Sequence, residues 1–314
     1  MQNQLAIGVD LGGTKIAFVL VDEQGAVRAS HQLPTAVNDG VEAVIDRIAH
    51  GIQHLREQAG YPVIGIGIGS PGHLNPLTGV VHNAVNLGWR EVPLVAALQR
   101  RLSGNVPIWL QKDTNAALLG ELYFGAARDV QDVVLVAIGT GLGVGAVIGG
   151  RIVLGANYFA TDVGHLSLDP SGRQCACGLR GCIEMYVSGI GIIAGVHEHR
   201  AYYPHSKLAQ IESPTTDAIL KAARDGDPLA NVVLNEAADW LGMAFAQCAV
   251  VLNPALFVIS GGLGLAAADL LLERAEREFR RRVSLPVYQN LRFVQSQITV
   301  SAIGAACLVW HALK

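Results

Sequence analysis

One histidine and three cysteines lie in a spacing that suits a metal ion. His165, Cys175, Cys177 and Cys182 form the pattern H-x9-C-x-C-x4-C. One imidazole and three thiolates suit tetrahedral Zn²⁺. Because four protein ligands leave no open coordination position, the sequence predicts a structural zinc ion that orders its loop. The alternative, three buried free thiols and a surface histidine, is unusual for cysteines this dense.

Two turns rich in glycine lie between strand-like segments. Glycine lets backbone N–H groups approach an anion without a Cβ in the way, and a turn that aims several N–H groups inward binds anions. Asp10 ends the strand before the first turn and can hold Mg²⁺ directly or through water. Each turn taken alone also fits an ordinary hairpin. The residues concerned are Asp10, Gly12, Gly13, Thr14 and Lys15 in the first turn and Gly139, Thr140, Gly141 and Gly143 in the second.

A third glycine pair, Gly261 and Gly262, lies between a predicted strand and a predicted helix. There it can pack against a flat ring such as adenine, or it can simply begin the helix. Three glycine turns at strand ends are harder to explain as separate hairpins than as parts of one nucleotide-binding cleft. The sequence therefore predicts a nucleotide site, in which Lys15 either contacts a phosphate or remains at the surface.

Asp113 follows a strand-like segment, 106–111, and opens a helical one. An aspartate in this position can cap the helix. It can also accept the proton of an attacking hydroxyl, the role of the base in phosphoryl transfer. The residues alone leave both interpretations open.

Alternating strands and helices must position these residues. Apolar periodicity predicts an antiparallel three-stranded start, followed by helices that cross between parallel strands. The motif of strand, glycine turn and strand occurs twice, which indicates two similar lobes. We therefore predict an α/β protein with a mixed β-sheet flanked by helices in each lobe. The predicted strands are 5–10, 15–21, 26–33, 63–69, 106–111, 133–148 with its turn, 256–260 and 292–300, and the main helices are 39–59, 91–102, 113–124, 227–252 and 302–312.

Composition excludes several classes of protein. Of 314 residues, 51% are apolar and 16% are charged, which predicts a large core and argues against disorder. The formal net charge is −3 and no Lys/Arg block occurs, so neither a nucleic acid nor a membrane is expected as a partner. No apolar run reaches the ~20 residues of a membrane span. Since no leader-like segment precedes the first strand, we expect a cytoplasmic protein.

Together these motifs resemble those of the actin-like ATPase superfamily, with its ribonuclease H-like fold, and within it the ROK family of sugar kinases and related repressors. The three glycine motifs are similar to its first phosphate, second phosphate and adenosine motifs. Most specific are Gly164-His165, Cys175–Gly178 and Gly181–Glu184, which resemble the ROK signature. Ile66–Gly72 and Asn86–Trp89 resemble the sugar-side loop of the family.

The resemblance implies Mg²⁺-dependent transfer of the ATP γ-phosphoryl group to a hydroxyl of a hexose-like sugar, with the primary 6-hydroxyl expected, and it implies that Asp113 is the general base. Repressor members carry a helix-turn-helix segment before the first phosphate motif, and the nine residues before Asp10 are too few for one, so a kinase is expected. The alternatives are a kinase of an unusual polyol, cyclitol or acidic sugar, and a non-catalytic sugar sensor. The residues expected to bind substrate are Gly72, Asn86, Lys112, Asp113, Asp162, His165 and Glu184.

Two of these positions depart from the family pattern. Lys112 stands where Asn is usual before the catalytic Asp, and Asp162 stands where Glu is usual before the Gly-His pair. We expect the two side chains to pair or to bracket one substrate group, and Lys112 to favour ionisation of Asp113. The alternative is that Lys112 points to solvent and Asp162 caps a turn.

The expected domain limits follow from the same pattern. Residues 1–112 form the N-terminal lobe, to which the C-terminal helix at about 301–314 returns, and residues 113–300 form the C-terminal lobe with a zinc loop at 155–184. The long helix at 227–252 is a candidate for the lobe boundary. By resemblance, we expect a homodimer or homotetramer.

Overall fold

The computed structural model of the protein describes residues 4–313. The strands are β1 (Leu5–Leu11), β2 (Lys15–Asp22), β3 (Val27–Pro34), β4 (Val63–Ser70), β5 (His73–Asn75), β6 (Val80–Ala84), β7 (Trp89–Val92), β8 (Ile108–Lys112), β9 (Val133–Ile138), β10 (Leu142–Ile148), β11 (Arg151–Ile152), β12 (Leu256–Ser260) and β13 (Arg292–Gln295). The α-helices are α1 (Val41–Gln58), α2 (Leu94–Arg101), α3 (Asp113–Phe124), α4 (Glu184–Val187), α5 (Gly189–His199), α6 (Thr216–Arg224), α7 (Pro228–Leu252), α8 (Gly262–Ala266), α9 (Ala268–Arg280), α10 (Leu285–Tyr288) and α11 (Ala302–Ala312).

Contacts between residues divide the chain into two compact units. The first comprises the chain up to Val130, Ile152–Ala160 and the segment from Ser296, and the second comprises Gln131–Arg151 and Thr161–Gln295. This division differs from the limit of 112/113 expected from the sequence, since α3 lies in the first unit and α7 lies wholly within the second. The limits of the functional lobes stay a prediction.

The position of α3 in the first unit has a physical cause. Its buried Glu121 accepts hydrogen bonds from the backbone N–H groups of Gln297 and Ile298, both at 3.1 Å, and from the hydroxyl of Ser296. The segment that leads into α11 is therefore fixed to α3, and α3 also packs directly on α11.

A five-stranded mixed sheet with the order β3-β2-β1-β4-β8 forms the centre of the first unit. Strands β1, β2 and β3 pair antiparallel, as the sequence predicts, and β4 and β8 add to β1 in parallel. Alternate residues of β1 face opposite sides, as strand geometry requires. Ile7 joins the core that contains Ile48 of α1, whereas Ala6 joins the core that contains Ala306 of α11.

A small antiparallel sheet, β5-β6-β7, was not predicted. Its strands are three to five residues long and lie among turn-forming residues, so the alternation in the sequence is too short to indicate them. The predicted helix at 91–102 is consequently too long: Trp89–Val92 is strand, and α2 begins at Leu94. Trp89 is buried in the core.

The second unit repeats the strand arrangement of the first. Its sheet has the order β11-β10-β9-β12-β13, in which β10 pairs antiparallel with β9, and β12 is parallel to both β9 and β13. The predicted strand at 292–300 is shorter than expected, because pairing with β12 ends at Gln295. The structure thus confirms the repeat that the recurring glycine motif predicted: each sheet contains an antiparallel hairpin with a glycine turn, followed by parallel strands.

A cluster of aromatic rings packs in the core of the second unit. Phe257 of β12 lies 5.0 Å from Phe245 of α7 and 5.1 Å from Phe293 of β13, measured between ring centroids. These contacts hold the longest helix against the sheet. Within residues 4–313, none of the helices has both the length and the apolar character that crossing a membrane requires.

Candidate active site

Asp10 and Asp113 lie at the same edge of the first sheet. Asp10 pairs with Gly69 across β1 and β4, and Gly69 pairs with Gln111 across β4 and β8, two residues before α3 begins. A Cβ on Gly69 would lie 3.5 Å from the Asp113 Cα and 3.4 Å from the Ala116 Cβ. The glycine therefore lets the start of α3 approach the carboxyl ends of the central strands.

The carboxylate of Asp113 is electrostatically unusual. It accepts a hydrogen bond from the backbone N–H of Thr114 at 2.7 Å, and protein atoms crowd around it although the residue is partly accessible. The pKa of Asp113 is raised to about 6, chiefly by burial and next by the negative charge of Asp10, although Lys112 and the Thr114 N–H lower it. Lys112 thus acts in the predicted direction, but burial and Asp10 outweigh it. A carboxylate with this pKa suits a general base near neutral pH.

The helix-cap interpretation of Asp113 fits the geometry less well. Lys112 occupies the N-cap position of α3, without a side-chain capping bond, and Asp113 is the first helical residue. A capping side chain accepts a hydrogen bond from the N–H two or three residues onward. The Asp113 carboxylate instead accepts from the N–H of the next residue, Thr114.

The first glycine turn closes on itself. The Gly12 N–H donates to the Lys15 carbonyl at 3.0 Å, so this N–H is used within the turn and is not available to an anion. Thr35 braces the turn, since its hydroxyl donates to the Gly12 carbonyl at 2.6 Å and its N–H to the Thr14 carbonyl at 2.9 Å. Lys15 is exposed at the start of β2.

Asp10 is held by a residue that the sequence did not single out. The hydroxyl of Ser301, just before α11, donates to the Asp10 carboxylate. Burial raises the pKa of Asp10, and the Ser301 hydrogen bond and the charge of Lys15 lower it. Ser301 is far from Asp10 in the sequence, so no local pattern could have indicated it.

Asn86 is the predicted sugar ligand that the structure places beside the first turn. It lies in a short 3-10 turn, Val85–Leu87, and its backbone oxygen would lie 3.0 Å from a Cβ on Gly13. Gly72 lies against Asn83 and Ala84 of the small sheet. The small sheet therefore brings the sugar-side loop of the first unit to the predicted phosphate turn.

In the second unit, the predicted sugar ligand Glu184 contacts the predicted phosphate turn directly. Its Oε2 accepts a hydrogen bond from the Leu142 N–H at 2.8 Å. A Cβ on Gly141 would lie 2.5 Å from the same oxygen, so glycine at 141 leaves room for the carboxylate in this position. The start of α5 also holds this second turn, residues 139–143, because the Gly189 N–H donates to the Gly139 carbonyl at 2.9 Å.

Gly261 and Gly262 connect β12 to α8. Gly261 lies against the backbone of Ile138, the last residue of β9, which directly precedes the second turn. Thr140 and Gly143 both belong to that turn. The structure therefore groups the predicted second phosphate motif with the predicted adenosine motif at one edge of the second sheet.

The four predicted metal ligands converge. The ligand atoms of His165, Cys175, Cys177 and Cys182 all lie within 4.8 Å of one another. Cys175 Sγ is 3.6 Å from His165 Nδ1, and Cys177 Sγ is 3.6 Å from Cys182 Sγ. In a tetrahedral zinc site, bonds of about 2.3 Å to sulfur and 2.0–2.1 Å to nitrogen separate two sulfurs by about 3.8 Å and sulfur from nitrogen by about 3.6 Å. The donor set therefore fits a tetrahedral metal ion.

Asp162 and His165 bound a single short turn. Asp162 precedes the 3-10 turn Val163–His165, and its carbonyl accepts from the His165 N–H at 3.1 Å. Lys112 belongs to the first unit and Asp162 to the second. The predicted pairing of their side chains therefore stays a prediction.

Two matching mixed sheets, each with a glycine turn in its central antiparallel hairpin, define an α/β protein with the actin-like ATPase fold. Within this class, the chain belongs to the ROK family, whose model matches residues 6–312.

Three similar proteins illustrate the range of the family. The glucokinase of Streptomyces coelicolor is 34% identical over 284 residues, which cover 88% of this chain and 87% of the relative. A ROK family glucokinase from Streptomyces griseus, solved in complex with glucose and AMPPNP, has a TM-score of 0.83 at 31% identity and covers 98% of this chain and 99% of its own. A ROK family transcriptional regulator, a homologue of the Escherichia coli MLC protein, has a TM-score of 0.88 at 28% identity and covers 99% of this chain and 78% of its own.

Proposed function

We propose that this protein is an ATP-dependent sugar kinase that transfers the γ-phosphoryl group to a hydroxyl of a hexose-like substrate, with the primary 6-hydroxyl as acceptor. The observation that carries the proposal is Asp113, a crowded carboxylate with a pKa of about 6 beside Asp10 at the carboxyl edge of the sheet. The similarity to glucokinases supports the same reaction.

In this mechanism, Asp113 is the general base. Its carboxylate accepts the proton of the sugar hydroxyl while the hydroxyl oxygen attacks the γ-phosphorus and the bond to the β,γ-bridging oxygen breaks. Burial and the Asp10 charge make Asp113 a stronger base than an exposed aspartate. Lys112 opposes this effect, because its positive charge lowers the pKa of Asp113.

The glycine motifs provide the nucleotide contacts in this proposal. Residues of the first and second turns approach the phosphates, and Gly261-Gly262 approaches the adenosine. Asp10 would hold Mg²⁺, which supplies charge neutralisation at the phosphates when bound. The hydroxyl of Ser301 orients the Asp10 carboxylate for this role.

Gly72, Asn86, Lys112, Asp162, His165 and Glu184 are the proposed sugar contacts. Lys112 and Asp162 leave the identity of the sugar open. At position 112, the lysine only donates hydrogen bonds and adds a charge, whereas the asparagine usual in the family both donates and accepts. An acidic sugar, a cyclitol or another polyol is therefore the alternative substrate class. Phosphate-transfer assays with glucose, mannose, fructose, acylated amino sugars, uronic acids and inositols, with 6-deoxyglucose as the control for position, test this proposal.

The metal in the cysteine cluster is proposed to be zinc with a structural role. His165 and the three cysteines would fill its coordination, so it would order the segment between Asp162 and Glu184. Burial raises the pKa of the Cys175 and Cys182 thiols, and a bound cation is what would hold them as thiolates.

A non-catalytic sugar sensor is the second candidate, because the structural similarity to the ROK transcriptional regulator is high. Sugar binding without ATP consumption across the whole panel would favour the sensor and overturn the kinase. The proposed homodimer or homotetramer is tested by light scattering on the eluted protein, where a monomeric mass would contradict it.

A further inference from the structure

Arg173 is more extensively bound than its place in an irregular segment suggests. Its side chain is only 8% exposed. The Nε donates to Glu198 at 2.9 Å, and Nη2 donates to Glu198 at 2.7 Å and to Glu236 at 3.0 Å. The guanidinium also lies 4.3 Å above the centroid of the Tyr186 ring. A planar guanidinium is suited to such a set of directional contacts.

These contacts enclose the short helix that Glu184 begins. Arg173 Nη1 donates to the Met185 carbonyl at 2.8 Å, and the Arg173 backbone N–H donates to the Tyr186 hydroxyl at 3.1 Å. The Tyr186 ring in turn stacks on Trp240 of α7, with centroids 3.8 Å apart. Both residues that follow Glu184 are therefore held by Arg173.

Arg173 also fixes the segment that carries the cysteines. Its carbonyl accepts a hydrogen bond from the Gly181 N–H at 2.8 Å, directly before Cys182. Arg173 therefore contacts both the segment that carries the cysteines and the start of α4. Glu184 is the first residue of α4, and its carboxylate accepts a hydrogen bond from the Leu142 N–H of the second turn.

We propose that Arg173 is a positioning residue for Glu184 and, through Glu184, for the second turn. The inference rests on the proposed function, in which Glu184 contacts the sugar and the second turn contacts the nucleotide. Sugar affinity and nucleotide affinity then depend on one guanidinium that touches neither ligand. The proposal concerns the second unit alone.

Arg173→Lys is the variant that tests the proposal, because it keeps the positive charge between Glu198 and Glu236 but loses the fork of donors. We expect the KM for the best sugar to rise about tenfold, since small misplacements of a binding group cost up to about 10²-fold. The dissociation constant of AMPPNP should rise in parallel, and amide hydrogen exchange at 139–143 should accelerate.

The matched control is Arg274→Lys. Arg274 of α9 donates two hydrogen bonds, both at 2.6 Å, to Asp239 of α7, the helix that also carries Glu236. The control variant therefore also loses a guanidinium that binds a carboxylate of α7. Exchange at 139–143 and both affinities should stay at their wild-type values in this control. An equal change in the control would overturn the proposal.

A double-variant cycle with Glu184→Ala separates positioning from general stability. If Arg173 acts through Glu184, Arg173→Lys has little further effect on sugar affinity or on exchange at 139–143 once Glu184 is truncated. Additive effects would overturn the proposal. Loss of the metal from Arg173→Lys would also overturn the proposal, because it would show that Arg173 acts on the cysteine segment rather than on Glu184.

Glu198→Gln is the second variant, for the case that Arg173→Lys does not fold. It removes the charge that faces Nε of Arg173, and it should shift sugar affinity, AMPPNP affinity and exchange at 139–143 in the same direction by a smaller factor. Exchange and AMPPNP binding require no turnover. Wild-type protein that phosphorylates no sugar would therefore overturn the kinase, whereas unchanged exchange in Arg173→Lys would overturn the positioning role.

Discussion

The edge of the first sheet and the cysteine segment of the second unit hold their side chains in opposite ways. At the sheet edge, strand register places Asp10 beside Gly69, and β8 leads directly into α3, which begins with Asp113. The cysteine segment, residues 165–184, has little regular structure, and side chains hold it: four metal-ligand candidates and Arg173. Where the backbone positions a group, a substitution changes chemistry, and where side chains position it, a substitution changes geometry.

The largest expected effect breaks the chemistry of the sheet edge. Asp113→Asn keeps the size of the side chain and its hydrogen bond from Thr114 but removes the base, so turnover should fall by roughly 10²–10⁴ while AMPPNP still binds. Asp227→Asn is the control, because Asp227 caps α7 and Asn caps equally well. Steady-state kinetics with the best sugar measure both. More than half of the wild-type turnover in Asp113→Asn would show that Asp113 is not the base.

The next effect breaks the geometry of the cysteine segment. Purified protein should hold about one zinc per chain, and Cys182→Ser should release it and lower the stability of the segment, because metal-binding energy is also local folding energy. Cys248→Ala is the control, since Cys248 is buried in α7 among apolar residues. Elemental analysis and hydrogen exchange over residues 165–184 provide the measurements. Protein prepared without chelator that contains no zinc would contradict the prediction.

A third prediction separates stability from activity at the sheet edge. The pKa of Asp113 is raised from 3.8 to about 6 on folding, so its contribution to stability is complete below pH 3.8 and is lost as the pH rises through about 6. Asp113→Asn should therefore stabilise the inactive protein at pH 7, by an amount on the order of 1–3 kcal/mol, and should make little difference near pH 4. Urea unfolding at the two pH values tests this. A destabilised Asp113→Asn at pH 7 would mean that the carboxylate makes stabilising contacts as an anion.

The smallest expected effect concerns specificity and tests the roles predicted for Lys112 and Asp162. Lys112→Asn with Asp162→Glu restores the residues usual in ROK sugar kinases. The ratio of kcat/KM for glucose to that for the preferred substrate should rise, by about tenfold, and each single variant should be worse than the double. Additive effects with an unchanged ranking of sugars would show that these positions do not set specificity.

The two regions also differ in what their sequences reveal. The convergence of the four candidate metal ligands could be predicted because their types and spacing are local, and the first hairpin could be predicted from its alternation. The strands β5, β6 and β7 escaped prediction because each is too short for a period to emerge. The segment 91–93 was predicted as helix because its apolar residues continue into α2, but pairing with β6 holds Trp89–Val92 as strand.

Site properties that depend on distant residues could not be predicted. The family resemblance indicated Asp113, but its raised pKa comes chiefly from burial and next from Asp10, which only the sheet brings close. The contact of Glu184 with Leu142, and the role of Ser301 at Asp10, join residues with no local relation in the sequence. Arg173 carried one weak signal: it stands two residues before the first cysteine.

The contact between Gly141 and Glu184 has a consequence for how this site can evolve. A side chain at 141 would displace the carboxylate at 184, since a Cβ would lie 2.5 Å from its oxygen. The two positions are therefore coupled: a larger residue at 141 costs Glu184 its hydrogen bond from the Leu142 N–H. A lineage that has already shortened 184 can change 141 freely, and one that keeps the carboxylate in this position keeps glycine with it.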